Sequence, residues 1–304
     1  MSAQLYGVDM FGQSMTPKPS GPVAERFLFP PFTVLDAKSG DWLERKRAWQ
    51  ALGMRSEIGR NIKPTSCATE WMQRGAVEEG GSIFDPVLVE LACRWFSPPN
   101  GQVVDPFAGG SVRGIVAAQL GLNYWGCDLR AEQVEANRAQ AETICGDLKP
   151  EWVCGDSMET LASAPSADFI FSCPPYGDLE VYSDDPADLS NMEWHTFVAA
   201  YKRIILRAVG KLKDDRFACF VVGDFRDPKG FYRDFVSTTI RAFEECGARL
   251  YNEAILATPV GSACMRVTKQ FDASRKMAKT HQNVLVFCKG DPRKAAAACK
   301  GVSA

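Results

Sequence analysis

The chain predicts an α/β fold: a mostly parallel sheet with helices on both faces. Three features carry that expectation. From Ser82 onward, short apolar runs alternate with helix-length stretches, the pattern that builds a parallel sheet through crossover helices. Acidic residues close three successive runs, at Asp105, Asp128 and Asp156. The run Asp168-Phe169-Ile170-Phe171 then ends in Ser172-Cys173-Pro174-Pro175-Tyr176. A double proline cannot continue a ladder, so the chain leaves the sheet there in a stiff, extended form. Tyr176 is thereby expected just past the carboxyl end of a strand, where open α/β sheets place their ligands.

In chain order, residues 1–26 are rich in Gly, Pro, Ser and Met without a period and read as a draped arm. Phe27 to Val34 carries two prolines among aromatics and reads as an extended piece packed on something else. Asp41 to Leu52 is a short helix with an acidic first turn, ended by Gly53. Residues 55–81 are polar and loop-like, with no element assigned. Ser82 or Asp85 caps a helix with Pro86 in its first turn, which runs to Phe96 and stops at Ser97-Pro98-Pro99. Strands follow at 102–106, 123–128, 151–155 and 167–173, with helices at 111–120 and 131–143. After a long acidic loop come helix 193–210, strand 216–223, helix 230–246 and strands 249–258 and 282–288. The last two strands show no helix between them and are expected to be antiparallel neighbours. Three parts result: an N-terminal extension (1–81), a main domain (82–290) and a flexible tail (291–304).

Composition narrows the function. The 304 residues are 46% apolar, with no apolar run long enough to span a bilayer. No charged start followed by an apolar block opens the chain, unlike a secretory signal. The 11 cysteines include no C-x-x-C pair and sit mostly in apolar runs, which fits reduced thiols in a cytoplasm and not a disulfide framework. With only two histidines, no metal site is expected. A net charge of −2 gives no global attraction to nucleic acid, so any such contact needs local clusters. Two are present. One is Arg45-Lys46-Arg47 with Arg55, Arg60 and Lys63; the other is Arg266, Lys269, Arg275, Lys276 and Lys279.

Asp105-Pro106-Phe107-Ala108-Gly109-Gly110-Ser111 and Ser172-Cys173-Pro174-Pro175-Tyr176 together resemble motif I (Asp-Pro-Phe-x-Gly-x-Gly) and motif IV (Asp/Asn/Ser-Pro-Pro-Tyr/Phe) of the S-adenosylmethionine-dependent DNA amino-methyltransferases. The resemblance covers about residues 82–290; the N-terminal part is more loosely similar to phage and prophage DNA methylases. It implies a class I methyltransferase-like, Rossmann-like sheet of seven strands with one antiparallel strand. It also implies a cofactor, S-adenosylmethionine, and double-stranded DNA as partner, with a homodimer as an open assembly. A small-residue loop before a helix suits an anion, and in the family Phe107 to Ser111 lies under the methionine part of the cofactor. Asp128 is placed to accept ribose hydroxyls. Asp156, with Ser157, corresponds to the position that bonds the adenine amino group. Phe84-Asp85-Pro86 resembles motif X, which completes the methionine pocket. A dinucleotide site competes, but G-x-G-x-x-G is absent.

Two departures stand out. Ser111 replaces the second motif glycine, and Cys173 replaces the usual Asp, Asn or Ser. In the family, that residue and a Pro-Pro backbone carbonyl grip the target amino group while the aromatic stacks on an extruded base. A thiol accepts weakly, so the carbonyls of Cys173 and Pro174 suffice, or Ser172, Asp178 or Glu180 assists. Adenine N6 is the favoured target and cytosine N4 the other. Nucleophilic attack by Cys173 for pyrimidine C5 methylation ranks below both, since no Glu-Asn-Val context accompanies it. RNA or protein N-methylation and a non-catalytic nucleic-acid binder also stay open. The acidic loop 177–192 reads as a lid with Tyr182 as a further contact, and the basic segment Thr258 to His281 as a loop facing DNA.

Overall fold

The computed structural model describes residues 26–55, 84–177, 183–260 and 263–300. Nearly all of the expected arm (1–26) and of the unassigned polar stretch (55–81), the last residues of the tail, and Asp178, Glu180, Tyr182, Arg60 and Lys63 lie outside the described residues. No helix among the described residues is long and apolar enough to cross a membrane.

The strands are β1 (Val34–Asp36), β2 (Gln102–Asp105), β3 (Asn123–Asp128), β4 (Glu151–Cys154), β5 (Ala167–Ser172), β6 (Leu212–Val222), β7 (Ala248–Ala257) and β8 (His281–Lys289). They form one sheet in the order β1-β7-β8-β6-β5-β2-β3-β4. Only β8 runs against its neighbours, antiparallel to both β6 and β7. Without β1 this is the expected seven-stranded sheet with one reversed strand near an edge. The eighth strand is the difference: β1 pairs in parallel with the end of β7, Val34 opposite Ile255.

Helices α1 (Gly40–Gln50), α2 (Pro86–Phe96), α3 (Val112–Gln119), α4 (Ala131–Cys145) and α9 (Pro292–Ala298) supply one core; α5 (Ser157–Thr160), α6 (Trp194–Lys211) and α7 (Phe235–Glu245) supply the other. The period-two pleat decides which side chain joins which. Phe169 and Phe171 of β5 join the first core, while Ile170 joins the second. In β6, Phe217, Cys219 and Val221 alternate in the same way with Ala218, Phe220 and Val222. Gly114 lets α3 approach the sheet: a Cβ there would run into the Trp152 ring and meet the Tyr124 ring at 2.9 Å.

Three elements depart from the expected layout. Helix α8 (Ala263–Ser274) lies between β7 and β8, where a plain loop was expected; twelve residues without Gly or Pro sustain it. Within the expected tail, residues 292–298 form α9: Asp291 caps it by accepting from the Arg293 N–H at 2.8 Å, and Ala295 is buried. Helix α7 starts at Phe235, not 230. The preceding residues form a hairpin, and the Asp224 carboxylate accepts from the N–H groups of Phe235 and Val236 at 2.6 and 3.2 Å.

Candidate active site

Chain order reverses between β2 and β5, so helices leave to opposite sides and a cleft opens at the strands' carboxyl ends. There the structure holds a cavity of about 330 Å³, within the range of small-molecule sites. Ten of the expected residues line it: Phe84, Phe107, Gly109, Asp128, Asp156, Ser157, Cys173, Pro174, Pro175 and Tyr176.

Asp105 is not on the cavity wall. It is fully buried beneath it and acts as a hub. One oxygen accepts from the Phe107 N–H at 3.1 Å and from the Ser172 hydroxyl; the other accepts from Arg113 Nε at 2.6 Å and Tyr124 OH at 2.9 Å. Burial and the neighbouring Asp105 carboxylate push the Tyr124 phenol well above its usual range, so it stays a neutral donor. Ser172, spending its hydroxyl on Asp105, is not available to the cavity. Ala108, Gly110 and Ser111 also lie behind the wall, buried. Gly109 does reach it, in a left-handed conformation (φ 50°) that suits glycine; its N–H donates to Asp128 at 3.0 Å and its carbonyl accepts from Asn137 at 2.7 Å. Asp128 thus both closes β3 and fixes the turn.

Asp156 caps α5, accepting from the Met158 N–H at 2.8 Å, and keeps its place on the wall. Ser157 spends its hydroxyl on the Pro106 carbonyl, tying the β4 end to the β2 loop. The Phe107 ring rests against Tyr201 and Phe220. Phe84 packs edge-on against Phe171, with the Arg113 guanidinium over its face at 4.8 Å.

At the other end, Tyr176 is held on three sides. Phe225 and Phe235 meet it edge-to-face at 6.2 and 6.0 Å, and Gln282 Nε2 donates to its hydroxyl at 2.8 Å. The ring therefore cannot tumble, which is what a stacking platform requires.

The wall also includes residues that the sequence did not mark for it, among them Arg113, Leu43, Lys46 and Gln282. Arg113 was detectable as the lone cation in the apolar stretch Val112 to Ala118. Its Nε and Nη2 are taken by Asp105 and by the carbonyls of Phe107 and Ala108, and no described residue accepts from its Nη1. Lys46 belongs to the first basic cluster, with Arg45, Arg47 and Arg55, and the structure splits that cluster. Arg45 is buried in a double hydrogen bond to Glu90, Lys46 lines the cavity and pairs with Asp85 at 3.1 Å, and Arg47 and Arg55 are exposed.

The second cluster also divides. Lys269 and Arg275 are exposed, whereas Lys276 lies along Gly230. Lys279 sits beside Gly223 and Tyr176, its ammonium pushed below the usual lysine range by burial, against the pull of Asp224. The Arg266 side chain lies outside the described residues. Thr258 and Pro259 before α8 and Gln282 after it all border the cavity, so this segment leaves and rejoins its rim.

No protein-family model matches the chain. Over 62 residues it is 40% identical to the Type II methyltransferase M1.MboII of Moraxella bovis, a match spanning 20% of this chain and 22% of that protein. TrmN from Thermus thermophilus is similar in structure with a TM-score of 0.46 and 15% identity, covering 68% of this chain and 49% of that one. The magnesium protoporphyrin IX methyltransferase of Synechocystis PCC 6803 is similar with a TM-score of 0.44 and 11% identity, over 74% and 92% of the two chains. Neither structural likeness bears on the substrate.

Proposed function

We propose that the chain is an S-adenosylmethionine-dependent methyltransferase acting on an exocyclic amino group of a base extruded from double-stranded DNA, adenine N6 first and cytosine N4 second. One observation carries this reading: the fixed Tyr176 ring and the strand-end acids Asp128 and Asp156 face the same cavity. The wall suits an adenosyl amino acid. Asp128 stands where a ribose diol needs an acceptor, Asp156 and Ser157 close the adenine end, and Arg113 offers Nη1 toward a carboxylate near Phe84. When bound, S-adenosylmethionine supplies an electrophilic methyl group on a sulfonium.

The chain's own part is orientation. Tyr176 would stack on the base, a contact worth about 1–3 kcal/mol. The proline-stiffened backbone at Cys173 and Pro174 presents carbonyls to the amino hydrogens, localising the nitrogen lone pair in line with the methyl. Calorimetry with S-adenosylmethionine and a modified-base survey of DNA from an expressing host test the two halves. Asp128→Ala is expected to cost about 1.5–3 kcal/mol, or about ten- to hundredfold in Kd. An unchanged Kd in the folded variant would reject the ribose role, and host DNA without methylated bases would reject the substrate.

A second chemistry has one observation in its favour: the Cys173 thiol lines the cavity that Arg113 and Tyr176 also line. Cys173→Ser separates the two. For amino methylation the serine variant stays active, because its hydroxyl accepts hydrogen bonds at least as well as a thiol. For C5 methylation it is nearly dead, since a serine without an adjacent base attacks poorly, and the wild type is trapped covalently on 5-fluorocytosine DNA. The expected result is an active variant with no trapped adduct.

A further inference from the structure

Between β6 and α7 the chain makes a tight hairpin over Phe225 to Arg233. Asp227 N–H donates to the Phe231 carbonyl at 2.8 Å, Gly230 N–H to the Asp227 carbonyl at 2.9 Å, and Arg233 N–H to the Phe225 carbonyl at 2.9 Å. An antiparallel bridge joins Arg226 to Tyr232, and the Asp227 carboxylate accepts from the Phe231 N–H at 2.8 Å. The turn is thus fixed by its own bonds. Its root is fixed as well: Phe225 is buried against Tyr176, Trp194 and Phe235, and the Arg233 guanidinium lies over the Trp194 and Phe225 rings.

The tip contrasts with that root. Phe231 is 72% exposed and Tyr232 49% exposed. Phe231 and Tyr232 thus form an exposed aromatic pair on a turn held by its own bonds. Cations surround that pair: Arg226 stacks on Tyr232 at 4.1 Å, Lys229 is exposed at the turn, and the Lys276 side chain lies along Gly230, where a Cβ would meet its Nζ at 2.5 Å. Asp227, the acid within the turn, spends its carboxylate on the Phe231 N–H, and Asp224 and Asp234 at the base spend theirs on the Phe235 N–H and on Arg241. Aromatic rings set among cations complement stacked bases framed by phosphates. Asp227, the partner of Phe231, lies two positions after Phe225, so at extended spacing the tip stands only about 7 Å further along the chain than the packing against Tyr176.

From this geometry we infer that the hairpin is a wedge for duplex nucleic acid: Phe231 enters the base stack where the target base leaves it, while Arg226, Lys229 and Lys276 hold the flanking phosphates. The inference rests on the proposed extrusion of a base onto Tyr176. Apolar side chains inserted between base steps do this elsewhere by offsetting the cost of unstacking. A base that is already unpaired has no use for the wedge.

The test uses unmethylated genomic DNA, native and heat-denatured, with wild-type chain and Phe231→Ala. Phe231 is mostly solvent-exposed, so its removal leaves the fold intact. The variant is expected to lose about tenfold or more in rate on native duplex, the equivalent of about 1.4 kcal/mol or more, while its rate on denatured DNA stays within about twofold of wild type. An equal loss on both substrates, or no loss on either, would overturn the wedge and leave the methyltransferase reading standing. A wild type that methylates neither DNA would overturn that reading itself, and the wedge with it.

Discussion

Asp105→Ala is expected to destabilise the folded chain by about 3–5 kcal/mol, the usual cost of removing one partner from a buried ion pair. The variant would leave the Arg113 guanidinium, the Tyr124 and Ser172 hydroxyls and the Phe107 N–H buried without their acceptor. Asp105→Asn restores an acceptor on one edge only and turns an amide donor toward the other, so it should recover part of the loss. Urea denaturation checks this through the midpoint at constant slope. A wild-type midpoint for Asp105→Ala would show that the hub is dispensable. Because Asp105 stands under the cavity and not in it, any fall in cofactor affinity should track the loss of stability. Asp128→Ala should lower affinity by more than its loss of stability, because Asp128 lines the cavity as well as holding the Gly109 N–H.

Glu90→Gln should be of comparable size, about 3–5 kcal/mol, at a place remote from the reacting end. Glu90 is fully buried in α2 and accepts from Arg45, Trp49 and Arg94, which fastens α1 to the main domain. Burial opposes its ionisation, but the hydrogen bonds and charge of Arg45, helped by Arg94 and Trp49, win, and its carboxyl lies below the ordinary glutamate range. A carboxyl depressed in the folded state contributes stability that is complete above the ordinary glutamate range and is lost as the pH falls through the depressed value. Acid should therefore release α1. Trp42 and Trp49, both buried, report it through a red shift in fluorescence, and cofactor affinity should fall with it, since Leu43 and Lys46 leave the cavity wall. A Glu90→Gln variant with wild-type denaturation midpoint and affinity would refute the clamp.

What could be seen from the sequence follows from where the information is local. Strands β2 to β6 and β8 announce themselves as apolar runs, and their acidic ends mark the cleft because Asp128 and Asp156 are needed where strands stop. Helix α9 was legible too: Asp291-Pro292 is a helix start signal, overlooked in a segment expected to be flexible. Strand β1 was not, because three residues after Pro30-Pro31-Phe32-Thr33 have no pattern of their own and owe their conformation to β7. The role of Asp105 was hidden for another reason. Its motif position is the same whether it touches a ligand or carries the loop, and only burial tells the two apart. Arg45, Lys46 and Arg47 show the same limit: neighbours in sequence, they point into a core, into the cavity and into solvent.

The short strand β1 has a consequence for how copies of this chain behave when crowded. An open sheet ends in two rows of unpaired backbone groups, each a template for another molecule's strand. Here one border is β4, only four residues long, with its Trp152 carbonyl already capped by Arg138. The other would have been the ten-residue β7, but β1 covers its last three residues. The remainder carries a register shift between Leu250 and Asn252 and the charges of Arg249 and Glu253. Neither border offers a long, flat, apolar rail, so sheets from separate molecules have little to zip onto.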